Sequence, residues 1–124
     1  MYSKIMVPLD GSDLAEYLMP KYLYHGSYTD EGLKGLMKDG GTKRMEVTKK
    51  TIESLGGKME AYYFAFGSND FFLIAEAPDN VNAITGSLVA NASGTVKVNI
   101  TVLITPEEVD QAVKKTMDWR PPGQ

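Results

Sequence analysis

His25 is the only histidine of the chain. An imidazole on a strand can take and return a proton near neutral pH, so it is the first candidate for general acid–base work. Asp70 closes the turn-forming run Gly67-Ser68-Asn69-Asp70. Its carboxylate would orient His25 or hold the polar end of a ligand; as an ordinary turn residue it would bond its own backbone. Arg44 and Lys43 follow Gly40-Gly41-Thr42, where a helix N-terminus attracts an anion, although no GxxxxGK[ST] phosphate loop is present. Tyr22, Tyr24, Tyr62, Tyr63, Phe64 and Phe66 are ring residues that suit a pocket for a small apolar or aromatic molecule, and suit core and interface packing equally. The ligand-binding candidates are therefore Tyr24, Tyr63, Phe64 and Arg44, and the catalytic candidates are His25 and Asp70. A His-based metal site would need spaced carboxylate partners that the sequence does not supply, so no metal and no cofactor are expected.

Two apolar runs flank residues 67–70 in MEAYYFAFGSNDFFLIAEA, which is the pattern of a hairpin. Residues 21–28 read as a strand with Tyr22, Tyr24 and Tyr28 on one side and Leu23, His25 and Ser27 on the other. In the first hairpin strand, alternation places Met59, Ala61, Tyr63 and Ala65 on one face and Tyr62, Phe64 and Phe66 on the other. The spacing predicts a helix after Thr29, broken at Gly40-Gly41, and a longer one through Met45, Thr48, Ile52 and Leu55 that ends at Gly56-Gly57. After Pro78-Asp79-Asn80 a third helix is expected to bury Val81, Ile84, Leu88 and Ala92 and to stop at Gly94. Val96, Val98, Ile100, Val102 and Ile104 alternate with more polar residues and form the clearest strand. Thr105-Pro106-Glu107-Glu108 is a capping box opening a last helix, with Val109, Ala112, Val113 and Met117 expected inward.

The order is strand, helix, strand, strand, helix, strand, helix. Its first six elements make the split βαβ, ferredoxin-like α+β sheet, with an extra C-terminal helix. Two crossover segments cover one face of such a sheet. The other face would leave rings in water, and a second copy packed sheet to sheet is the simplest cover. The competing cover is the chain's own N-terminal segment or last helix.

Composition narrows the function classes. Net charge is −3 with both signs mixed along the chain, so neither nucleic acid nor a membrane surface is an expected partner. No cysteine is present, which excludes disulfides and thiolate chemistry. No apolar run approaches a membrane span and no secretory signal is evident, so the expected location is the cytoplasm.

From Met19 onward, the segments MPKYLYHGSYTDEGLKGLMKDGGTKR, ESLGGKMEAYYFAFGSNDFFLIAEAPDN and ITPEEVDQAVKKT, with the ending RPPG, resemble the GYD-domain family. The resemblance implies a ferredoxin-like domain that associates in the manner of dimeric α/β-barrel proteins, and it supplies no reaction. The Gly-x-Tyr-Asp turn behind the family name reads Gly67-Ser68-Asn69-Asp70, with asparagine in place of the tyrosine. Residues 1–18 are similar instead to the opening strand and turn of universal stress proteins, where the aspartate matching Asp10 sits beside an adenine nucleotide. The Gly-rich phosphate loop of that family is missing, so this segment reads as a fragment ahead of a natural start at Met19. The expected function is a small-ligand-binding or interaction module acting as a homodimer or higher homo-oligomer. A cofactor-free isomerase or monooxygenase of the dimeric-barrel kind, using His25, is one alternative; a nucleotide-binding stress protein is the other.

Overall fold

The computed structural model describes residues 19–124, so the readings made for residues 1–18 lie outside the described residues. In chain order the elements are β1 (Lys21–Tyr28), α1 (Asp30–Asp39), α2 (Gly41–Ser54), β2 (Lys58–Phe64), β3 (Phe71–Glu76), α3 (Asn80–Ala92), β4 (Val96–Leu103) and α4 (Pro106–Ala112). The strands form one antiparallel sheet in the order β2-β3-β1-β4. That order is the split βαβ topology, with a pair of helices in the first crossover and one in the second.

Local chemistry sets the boundaries. The Thr29 hydroxyl accepts from the Gly32 N–H and starts α1, with Asp30 and Glu31 at the positive end of the helix dipole. Gly40 at φ 84° ends α1, donating its N–H to Leu36, and lets α2 begin one residue later in a new direction. Gly56 at φ 80° closes α2. Asp79 accepts from the Asn82 N–H at 2.9 Å to start α3. At α4 both halves of the capping box are made: Glu108 N–H to the Thr105 hydroxyl, and Thr105 N–H to the Glu108 carboxylate.

The helices cover the sheet face that carries the tyrosines of β1. Tyr22 is 1% exposed and lies with Phe71, Leu73, Ala75, Ala77 and Ala83 in the core. Its hydroxyl donates to the Asn80 side chain at 2.6 Å, and the Tyr24 hydroxyl donates to the Ala83 carbonyl at 2.8 Å. These bonds explain a correction to the α3 reading. Ala83 and Ser87 are the buried positions, whereas Val81, Ile84 and Leu88 are exposed, Val81 at 74%. Two tyrosines standing up from the sheet fill the space beneath α3, so the helix presents small residues to them and turns its larger apolar side chains outward.

Two further faces differ from expectation. A bulge between Met59 and Ala61 shifts the register of β2 against β3, so Met59 pairs with Ala75 of the covered face while Ala61 and Tyr63 stay on the open one. Val109, Ala112, Val113 and Met117 are exposed rather than inward; α4 ends at Ala112, so Val113 and Met117 lie beyond the helix. On the edge strand β4, the Asn91 side chain accepts from the Val98 N–H at 2.8 Å and donates to the Val98 carbonyl at 3.1 Å. Both backbone groups of Val98 are thereby taken.

Candidate functional site

The open face of the sheet holds His25. Its Nδ1 lies 3.0 Å from the Asn69 side-chain oxygen, and its ring stacks on Phe72 with centroids 6.0 Å apart. Leu23 and Ile74, opposite each other in the β1–β3 register, are half-buried on the same face, and Tyr63 is 69% exposed. Asp70 is engaged elsewhere. Its carboxylate accepts the Tyr28 N–H at 2.9 Å, its own N–H donates to Gly26, and its carbonyl accepts from Ala65. The residue facing the imidazole is thus Asn69. His25 and Asp70 sit on either side of the same β1 end without bonding to each other.

Tyr24, Arg44 and Phe64 lie on the helix side, apart from Tyr63. The α2 helix sits over β2 and α3 over β4, and the gap between them is a cavity of about 450 Å3. Tyr24, Val96 and Val98 line its sheet side; α2 contributes Arg44, Thr48 and Ile52, and α3 contributes Gly86 and Ala90. Many of the facing helix positions are small: threonine and serine on α2, Gly86, Ala90 and Ser93 on α3 and its end. Burial pushes the Tyr24 hydroxyl up to about 12, with Tyr22 adding to the shift. Burial likewise raises Tyr62, whose hydroxyl lies 3.5 Å from that of Tyr28. Phe64 is not in the cavity lining; its ring packs beneath Gly41 at the start of α2 and stacks on Phe66. Trp119 is exposed on the tail.

Sequence reasoning missed a charged cluster at the strand ends of the open face. The register sets Lys21 and Lys58 on either side of Glu76. Lys21 reaches over β3 to Glu60 on β2 with an N–O distance of 2.7 Å. Burial, then the neighbouring Glu60 carboxylate, push Glu76 up to about 7. Burial acts against the charge on Glu60 too, but the hydrogen bonds from Lys21 and Glu76 outweigh it and hold Glu60 low. The two carboxyl groups therefore titrate as a coupled pair, with Glu76 the member pushed upward. The signal available was the bunching of Lys58, Glu60 and Glu76 at strand ends, but the bulge that brings Glu60 alongside is not written in the alternation.

The Glu76 shift has a definite sign. Its folded pKa lies above the ordinary carboxyl value of 4.5, so between about 4.5 and about 7 the folded state binds more protons than the unfolded. This contribution is full at low pH and is lost as pH rises through 7. Urea unfolding midpoints at pH 5 and pH 8 are expected to show wild type losing stability relative to Glu76→Gln over that interval. A constant difference between the two proteins would refute the assignment.

Among the described residues no group of three His, Asp or Glu side chains is placed to hold a metal ion, and no helix is long and apolar enough to cross a membrane. Fold and site together define an antiparallel ferredoxin-like α+β domain with a ring-bearing open face and a cavity in its helix layer. The chain belongs to the GYD-domain family, whose model matches residues 22–113. None of the curated proteins matches it.

Proposed function

We propose that this GYD domain is a small-ligand-binding module that acts as a homodimer, two copies meeting through their open sheet faces. The observation that carries the reading is this ring-bearing face, over which none of α1, α2 and α3 packs. Phe72, Tyr63, Leu23, Ile74 and His25 lie together on β1, β2 and β3, while α1, α2 and α3 all pack on the opposite side. A contiguous ring-bearing patch of this kind marks an association surface, and a standard interface needs roughly 800 Å2 from each partner. Binding is favoured over turnover because His25 bonds to Asn69 and Asp70 spends its carboxylate on the Tyr28 backbone, so these two candidates do not act together as an acid–base pair.

Sedimentation velocity at micromolar concentration tests the assembly. Wild type is expected at twice the 13.6 kDa chain mass. Phe72→Glu places a charge among the rings and is expected to give monomer with unchanged far-ultraviolet circular dichroism. A wild type that sediments as monomer, or a Phe72→Glu variant that stays dimeric, would remove the open face from the account.

A further inference from the structure

We propose that the cavity between α2 and α3 is the ligand site, and that its ligand is a small apolar carboxylic acid held by Arg44. This rests on the binding half of the function proposed above and is independent of how copies associate. The volume of about 450 Å3 is within the range of small-molecule sites. The chemistry of the lining selects the ligand.

The wall looks polar by residue type but presents few free donors. The Thr48 hydroxyl donates to the Arg44 carbonyl, Thr51 to Val47, Ser54 to Thr51, Thr85 to Val81 and Ser93 to Ala90. Each is tied to its own helix. The Tyr24 hydroxyl proton is likewise committed to Ala83. What remains towards the space is methyl, methylene and ring surface, suited to an apolar body.

Arg44 is the one charged side chain in that lining; no aspartate, glutamate or lysine shares it. It is half-buried. The ion pair found among the described residues is Lys21–Glu60, on the other face, so no carboxylate of the described residues lies within ion-pair distance of Arg44. Arg44, Thr95 and Val96 also border an adjoining recess of about 120 Å3, where Glu31 and Asp39 are the acidic residues, neither of them within ion-pair distance of Arg44. A partly desolvated guanidinium with its fork of N–H donors recognises a planar carboxylate in two-point fashion. One cation against an otherwise apolar wall fits a monoanion, not a phosphate dianion.

Calorimetry and amide chemical-shift mapping with decanoate and decanol test this on the full chain. Decanoate is expected to bind, with shifts concentrated at Thr48, Thr51, Gly86 and Ala90. Arg44→Met is expected to weaken decanoate about tenfold or more, the size of a lost hydrogen bond to a charged group, while leaving decanol little changed. Ala90→Phe fills the space and is expected to abolish both. Equal decanoate affinity in wild type and Arg44→Met, shifts centred on Phe72 and Tyr63, or no binding of decanoate at millimolar concentration would each overturn the proposal. The first would refute the anion anchor; the second would move binding to the open face. Shift mapping on wild type decides the location even where Ala90→Phe does not fold.

Discussion

Gly26→Ala and Gly32→Ala are each expected to cost about 3 kcal/mol or more of folding free energy, the upper end of overpacking penalties. A Cβ at Gly26 would stand 1.8 Å from the Lys97 carbonyl oxygen, and one at Gly32 would stand 1.9 Å from the Thr95 carbonyl oxygen. Both obstacles are backbone, so no side chain can swing aside. Relief would require parting β4 from β1, or lifting α1 from the start of β4. The second move is opposed directly, because the Thr29 N–H donates to Thr95 and the Thr29 hydroxyl donates to Gly94. Gly35 lies in the same helix as Gly32 but has open space around it. Gly35→Ala is therefore expected to stabilise by about 0.5–1 kcal/mol through helix propensity alone. Urea unfolding of the three variants checks the contrast. A Gly26→Ala protein within 0.5 kcal/mol of wild type, a margin typical of uninvolved surface positions, would mean the close approach of β4 is wrong.

Asp70→Ala is expected to destabilise by about 2 kcal/mol, within the usual range for a hydrogen bond to a charged acceptor. The loss is structural. The carboxylate is the acceptor for the Tyr28 N–H, while the Asp70 backbone reaches Gly26 and Ala65, so one residue joins the β2–β3 turn to the end of β1. Removing the side chain leaves the Tyr28 amide without that partner where β1 ends and α1 begins. Asp70→Asn keeps an oxygen at the site and is expected to lose only part of the energy. Chemical denaturation at pH 7 separates the three proteins. If Asp70→Ala unfolds at the wild-type midpoint, the stitch carries no weight and Asp70 is again open to a role in chemistry.

Much of this architecture was legible in the sequence. The bounds of β1, the hairpin about residues 67–70, the strand from Val96 and the capping box at Thr105 are fixed by alternation, turn residues and short-range hydrogen bonding, and all lie where they were read. What escaped depends on distant partners. The α3 helix has two faces of similar period, and only the tyrosines rising from β1 decide that Ala83 and Ser87 go inward instead of Ile84 and Leu88. The bulge in β2 decides the side on which Met59 falls and brings Glu60 to Lys21. Among the site candidates, Tyr24 and Arg44 do share a cavity, and it lies in the helix layer. Tyr63 belongs to the opposite face, and a set chosen by residue type could not separate the two.

The two bonds from Asn91 to Val98 bear on growth as well as on folding. An unguarded border strand invites another chain to zip alongside it, and repetition of that step builds fibrils. Here one amide plugs the middle of that border, so extension of the ladder outward from β4 is interrupted at Val98.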